Sequence, residues 1–419
     1  DEVKAAHNFA RLLYTKRELP FYPEFIDQIE EERGFAFGNQ QRQAFQLLRS
    51  TGFKLLTGDP GTGKTTTVNG LLKYLEMLWN KMYGKLPVFA LCAPAGRAAQ
   101  RMKETTSRNA QTIHKLIEYQ PFDGKEYYKD ASDPIKADVI VVDEVSMLGL
   151  STFSKLISAI ENGALVMLVG DTNQLQSVEP GNVLQDIIDS GCVDRCHLSE
   201  VFRQAEESLI NQNAKKIIRG EENLAVGTDF KIIKCTPEET QNVLRATVQE
   251  MISETGDDKK VQVLAPVRKG SCGVNEGNTQ LQTIFNPGKG GIWYGYRNYK
   301  LNDRVMMMSN NYALQYYNGD VGYITKITNS SMEISVGEEI ISLPREQYGD
   351  MDLAYNCTVH KSQGSEYDYL VIVLQEAATG MLDQNLLYTA VTRGKKEVRI
   401  IYENNTLQTA IRTARKGGR

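Results

Sequence analysis

Gly58-Asp59-Pro60-Gly61-Thr62-Gly63-Lys64-Thr65 lies directly after an apolar run at 54–57 and directly before a helix-forming stretch at 66–79, and that placement decides how the chain folds. The octet fits G-x-x-x-x-G-K-[ST]. Glycines at these positions let the backbone turn tightly enough for successive amides to point inward at phosphate oxygens. The helix behind them adds the positive partial charge of its N-terminus, and Lys64 supplies a point charge for the outer phosphates. Thr65 is the expected Mg²⁺ ligand, and Thr66 continues the phosphate-facing turn. The bare pattern would arise by chance in roughly one chain in a hundred of this length, and the requirement for a strand before and a helix after removes most of that chance. A phosphate loop joining strand to helix implies a parallel sheet with helices on both faces.

Hydrolysis of a bound nucleotide also needs one carboxylate for the metal and one for the attacking water. Val139-Ile140-Val141-Val142-Asp143-Glu144 delivers both to the end of an apolar strand. Asp143 is the expected metal-side acid and Glu144 the expected general base, because two successive residues at a strand end leave the same rim in different directions. A nucleoside triphosphate and Mg²⁺ are therefore the expected nucleotide and metal.

Working outward, apolar runs at 54–57, 88–92, 139–143 and 165–169 alternate with helical stretches, and runs at 261–265, 370–374 and 398–402 repeat the rhythm. Two α/β domains follow from this, in keeping with 419 residues of which 41% are hydrophobic and 24% charged. Residues 1–36 read as amphipathic helices of an accessory segment, broken at Pro20 and Pro23. Residues 293–350 differ, with alternating stretches such as Val321-Gly322-Tyr323-Ile324-Thr325-Lys326-Ile327 that predict a small antiparallel β insertion.

Charge and cysteine content exclude some classes. The net charge of −4, from 48 basic and 52 acidic residues, means that any contact with nucleic acid is a local groove rather than a whole-molecule field. Six cysteines without a CxxC pair fit reduced thiols, and Cys192, Cys196 and His197 lack a fourth ligand at zinc spacing. Asp1-Glu2-Val3-Lys4 does not open a secretory signal, and no run of about 18 apolar residues occurs, so a soluble, cytoplasmic protein without membrane contact is expected.

The stretches around the phosphate loop resemble, in order, the motifs of the RecD-like branch of superfamily 1 helicases over about residues 37–405. Gln41, within Phe37-Gly38-Asn39-Gln40-Gln41, resembles the glutamine that reads adenine. Ala93-Pro94-Ala95-Gly96-Arg97 and Thr112-Ile113-His114 resemble single-strand contacts, through Pro94, Ala95, Arg97, Thr112 and His114. Gly170-Asp171-Thr172-Asn173-Gln174 resembles the motif in which Gln174 senses the γ-phosphate. Val201-Phe202-Arg203-Gln204 and Tyr388-Thr389-Ala390-Val391-Thr392-Arg393 resemble motifs in which Arg203 and Arg393 stabilise transition-state charge when two domains close. Thr358-Val359-His360-Lys361-Ser362-Gln363-Gly364-Ser365-Glu366 is the most family-specific stretch, with Thr358, His360 and Ser362 facing DNA and Gly364 and Glu366 facing the nucleotide. Gly394 departs from the alanine often found after the arginine.

The resemblance implies two RecA-like P-loop NTPase domains, at 37–196 and at 197–292 with 351–419, and an SH3-like β insertion at 293–350. It also implies a β-hairpin pin at about 118–134, where Asp123-Gly124 flanked by aromatics is itself a hairpin signal and Phe122, Tyr127 and Tyr128 could meet the last base pair. The implied activity is ATP-dependent, 5′-to-3′ translocation on single-stranded DNA with duplex separation at single/double-strand junctions. Single-strand-binding or repair proteins are the implied partners, in DNA repair and recombination. Two alternatives stay open on sequence alone: an RNA or ribonucleoprotein-remodelling ATPase of the same superfamily, and a nucleotide-gated DNA-binding subunit that does not unwind by itself.

Overall fold

Every residue of strand β1 (Gly52–Gly58) is buried, which places the segment before the phosphate loop inside a sheet, with a neighbouring strand on either side. The computed structural model describes residues 1–122, 125–200, 207–311, 313–314, 316–337 and 339–414. It divides the chain into two units, 1–206 and 207–416.

In the first unit β1 is followed by β2 (Phe89–Ala93), β3 (Ala110–Thr112), the antiparallel pair β4 (Gln120–Phe122) and β5 (Lys125–Tyr127), then β6 (Val139–Val142), β7 (Leu165–Gly170) and β8 (Asp194–Leu198). Six of these form one sheet in the order β3-β2-β6-β7-β1-β8, with every neighbouring pair parallel. The apolar runs of β6 and β7 are buried throughout, as a parallel sheet covered on both faces requires. Side chains alternate across β1, with Phe53 and Leu55 in the core on one face and Leu56 in the core on the other. Lys54, 1% exposed, reaches Ser50 Oγ and Asp194 Oδ2, both at 2.7 Å, so its charge is neutralised at the β8 edge.

The N-terminal helices pack into the core of the first unit. Leu12 of α1 (Glu2–Tyr14) lies in the core beneath Phe53, and the Phe9 ring stacks on Phe53 at 4.6 Å between centroids. Phe25, Ile26 and Ile29 of α2 (Pro23–Arg33) enter the core on the opposite face, against Tyr74 and Leu71 of α4 (Lys64–Tyr83). The two helices thus cover opposite faces of one sheet. The division between units also falls at 206/207 rather than 196/197, because β8, which spans the expected boundary, pairs with β1 from Lys54↔Asp194 to Gly58↔Leu198.

The second unit has its own parallel sheet. Its strands are β9 (Phe230–Cys235) and β10 (Val261–Ala265) and, after an insertion, β18 (Asn356–Thr358), β19 (Tyr367–Leu374) and β20 (Gly394–Glu403), in the order β18-β10-β19-β20-β9. The insertion opens with the hairpin β11 (Ile292–Tyr294) and β12 (Arg297–Tyr299). It continues as β13 (Arg304–Met307), β14 (Val321–Ile327), β15 (Ser331–Val336), β16 (Glu339–Pro344) and β17 (Met351–Leu353), an antiparallel sheet in the order β16-β15-β14-β13-β17. β17 pairs with β13, so this sheet extends past the expected end at 350. Tyr316 and Tyr348 are buried within it. Trp79 is buried in α4 at 5% exposure, whereas Trp293 on β11 is 65% exposed. No helix among the described residues is long and apolar enough to cross a membrane.

Leu12→Ala removes a side chain 1% exposed and leaves a cavity under β1. It should cost about 3 kcal/mol, read as a lower urea midpoint for the first unit; an unchanged midpoint would mean that α1 does not belong to that core.

Candidate functional site

The phosphate loop leaves β1 and ends at Gly63, the N-cap of α4. Gly61 and Gly63 hold φ of 74° and 73°, a region costly for any residue with a Cβ. A Cβ on Gly58 would fall 2.8 Å from Leu198 Cβ and 2.9 Å from Thr62 Oγ1, so that glycine is needed for close packing of β1 on β8. Thr62 donates to Asp59 O at 2.7 Å and Asp59 N donates to Leu198 O at 3.1 Å, which fixes the loop. Pro60 lies within this turn, and Thr65 is exposed on the first turn of α4 with Thr66 half-buried beside it. The Lys64 ammonium donates to the carbonyls of Gly58 and Asp59, the latter at 3.2 Å.

Gln41 is 3% exposed and its amide bonds to the protein itself. Its Oε1 accepts from Gly38 N at 3.0 Å and its Nε2 reaches Gly63 O at 3.3 Å and Thr62 O at 3.4 Å. The residue expected to read adenine therefore braces the phosphate loop from the side of α3 (Asn39–Ala44).

Asp143 follows β6 directly, its amide donating to Cys92 O at 2.9 Å. Burial and then the charge of Glu144 push its carboxyl above the ordinary range; a hydrogen bond from Glu144 N and the nearby cations Arg101 and Lys64 act in the opposite sense. Glu144, buried, adopts φ 54° and ψ 43°, left-handed backbone that costs a residue with a Cβ about 1–2 kcal/mol. The turn lets Glu144 N donate to Asp143 Oδ1 at 2.8 Å. Beyond β7, Asp171 Oδ1 accepts from Asn173 N at 2.9 Å and its Oδ2 from Gln174 Nε2 at 3.4 Å, while Asn173 Nδ2 reaches Asp59 Oδ1 at 3.4 Å. Asn173 therefore ties the Gln174 loop to the phosphate loop, and Arg101 adds positive charge near Asp143; neither role was foreseen from the motifs.

These residues fit a magnesium-bound nucleotide. Buried Gln174 Oε1 and Ser146 Oγ have no hydrogen-bond partner, Gly61 and Gly63 put no Cβ into the loop where its backbone is left-handed, and Thr65 and Asp143 are hard oxygen donors suited to a small divalent cation.

The neighbouring rim holds the first set of strand-contact candidates. Ala93 on β2 is in register with Thr112 on β3, so Pro94 and Ala95 leave the sheet beside the 112–114 turn. Ala95 is the N-cap of α5 (Gly96–Thr106), which carries Arg97 in its first turn. Thr112 caps α6 (Ile113–Leu116), accepting from Lys115 N at 3.2 Å. His114 meets Tyr119 edge-on at 5.2 Å, and burial pushes its pKa down.

The expected hairpin forms at β4 and β5, with Tyr127 54% exposed. The side chain of Phe122 and residues 123–124 lie outside the described residues. Tyr128, just past β5, packs its ring on the core and its hydroxyl accepts from Lys4 Nζ at 2.8 Å.

In the second unit Thr358 Oγ1 accepts from Lys361 N at 3.2 Å, and burial lowers the pKa of half-buried His360. Ser362 does not face outward as expected: it is fully buried and its Oγ donates to Val359 O at 2.7 Å, closing a short turn. Gly364 has φ 74°, and Glu366 pairs with Lys395 at 2.9 Å. Arg393, 3% exposed, donates to Thr389 O and Ser365 O, each at 3.2 Å. Gly394 has a physical reason: a Cβ there would lie 2.2 Å from Val398 Cγ2, filling the room alanine would need. Arg203 lies outside the described residues.

Family profiles match at residues 36–236 (AAA domain), 278–337 (ATP-dependent RecD-like DNA helicase SH3 domain) and 353–401 (UvrD-like helicase C-terminal domain). The ATP-dependent RecD2 DNA helicase of Deinococcus radiodurans is 35% identical over 360 residues, covering 85% of this chain and 48% of that protein. The chain thus spans about half the length of that relative. The RecBCD enzyme subunit RecD of Mycobacterium tuberculosis is 30% identical over 415 residues, covering 89% of this chain and 70% of that protein. The fold is similar to that of the Pif1 helicase from Bacteroides in complex with ADP-AlF3 and ssDNA, with a TM-score of 0.54 and 16% identity over 90% of this chain and 94% of that one. With the phosphate loop, the paired carboxylates and the inserted SH3 domain in family order, this chain belongs to the RecD-like helicases.

Proposed function

We propose that this chain hydrolyses ATP to move 5′-to-3′ along single-stranded DNA and separates duplex DNA at a single/double-strand junction. The observation that supports this most is a shared rim: β2, which leads into Pro94 and Ala95, pairs with β6, which leads into Asp143 and Glu144, at Cys92↔Val142. A change at the phosphates and a shift of the strand contacts are then one register step apart. The relatives named RecD2 DNA helicase and RecBCD enzyme subunit RecD support the helicase reading, while the polarity and a setting in repair and recombination are what the resemblance to RecD-like helicases implies. Cytoplasmic location and association with single-strand-binding or repair proteins belong to the same proposal.

In the proposed reaction Lys64 exchanges the carbonyls of Gly58 and Asp59 for phosphate oxygens. Glu144 orients the attacking water and takes its proton, the γ-phosphoryl group leaves ADP as inorganic phosphate, and Gln174 Oε1 supplies a buried acceptor beside that water. Mg²⁺, held by Thr65 and through water by Asp143, would neutralise charge on the phosphates. Arg393, its guanidinium already fixed by two carbonyls, keeps the charge-stabilising role its motif implies, as does Arg203 by motif alone.

Lys64→Ala should lower turnover by at least about a hundredfold with the fold intact; undiminished hydrolysis would sink the site. A duplex with a 5′ single-stranded tail should open with ATP and Mg²⁺ while its 3′-tailed counterpart does not, and opening of only the 3′-tailed duplex would reverse the polarity. Because the Asp143 carboxyl binds its proton more tightly folded than unfolded, its contribution to stability declines as pH rises from the ordinary carboxylate range through its raised pKa. At neutral pH without metal, Asp143→Asn should therefore melt higher than the parent and gain less from Mg²⁺ and ATP; equal or lower melting would show that the charge carries no penalty there.

A further inference from the structure

A hairpin that splits base pairs must pass force into the domain carrying it, and two short exposed strands do not hold an angle by themselves. β4 and β5 pair over only three registers, from Gln120↔Tyr127 to Phe122↔Lys125. What fixes them lies at the root of the hairpin. Glu126 accepts from Tyr119 OH at 2.8 Å and from Lys155 Nζ at 3.0 Å, and these contacts hold its carboxyl below the ordinary range. The Lys155 side chain is 13% exposed, and its ammonium lies 5.0 Å from the centroid of Tyr119 and 6.0 Å from that of Tyr128. One cation therefore joins the hairpin strand to the aromatic residues on either side of it.

The helix beneath does not yield easily. Lys155 belongs to α7 (Leu150–Ser158), whose Phe153, Leu156 and Ile157 are buried in the core. A second strut comes from α1, where Lys4 donates to Tyr128 OH and lies 5.1 Å from its ring centroid. Tyr119 in turn meets His114, the strand-contact candidate, edge-on.

Resting on the reading of this hairpin as a pin, we propose that Lys155 is a positioning residue for duplex separation. Its ion pair with Glu126 sets the angle of the hairpin relative to the 112–114 turn, and α1 reinforces that setting through Lys4. Neither lysine touches the nucleotide site, so loss of the clamp uncouples unwinding from hydrolysis instead of stopping the motor.

The test compares Lys155→Met, which keeps the aliphatic packing and loses the charge, with Lys155→Arg and with a chain in which 120–127 is replaced by a Gly-Ser link. Lys155→Met should open a 5′-tailed duplex about five- to tenfold more slowly than the parent while single-strand-stimulated hydrolysis stays within about twofold, and Lys155→Arg should recover most of the rate. Unchanged opening, or a parallel fall in opening and hydrolysis, overturns the proposal. Hydrogen exchange separates this result from the fate of the pin reading: amides of 120–127 should exchange faster in Lys155→Met while β6 and β7 stay protected. Unaltered exchange overturns the clamp even if the protein opens no duplex. Parental unwinding by the hairpin-less chain overturns the pin and the positioning role together.

Discussion

Parallel pairing forces the carboxyl ends of β1, β2, β6 and β7 onto one edge of a sheet, and the candidate chemistry of the first unit depends on that constraint. β1 emits the phosphate loop, β6 the two carboxylates, β7 the Gln174 loop and β2 the 94–97 segment. The registers Thr57↔Gly170, Val142↔Leu168 and Cys92↔Val142 fix how far each loop starts from the next. No loop has to find its neighbours by itself; the buried apolar strands hold them together, and the helices on both faces keep those strands dry.

That rim carries cost as well as function. Glu144 holds left-handed backbone without being glycine, Asp143 keeps a carboxyl in a place that disfavours its charge, and Ser146 and Gln174 each leave a buried oxygen unpartnered. Each of these is unfavourable in the folded chain by itself. They persist because the surrounding core overdetermines them, and part of that core is supplied by helices from the first 33 residues. Folding energy from the N-terminal segment thus underwrites strain at a loop remote from it in sequence.

The legible part of the sequence was the part with strong local signals. The glycines of 58–63 favour one kind of turn, and short β-branched runs such as Val139–Val142, alternating with helical stretches, fit strands buried on both faces. Edge strands escaped notice because one side of them is wet: β8 reads Asp194-Arg195-Cys196-His197-Leu198 and β9 mixes lysines with isoleucines, so neither forms an apolar run. Amphipathicity revealed α1 but not its destination, since a hydrophobic stripe does not name the surface that will cover it. The same gap explains Ser362 and Tyr128. A hydroxyl in a motif or an aromatic near a turn reads alike whether it faces a ligand or its own domain, and only the fold shows that Val359 and Lys4 claim them.

The two tryptophans noted above fall one in each unit, Trp79 sealed in the first core and Trp293 open to solvent on the hairpin before the inserted sheet. Their emission is separated by nature. Trp79 fluoresces from an apolar surround and moves to the red when its unit unfolds, whereas Trp293 already emits from water and changes little. An intrinsic spectroscopic label on the nucleotide-binding unit is therefore built into the chain, and loss of that unit can be followed optically in the intact protein without adding a dye or removing a residue.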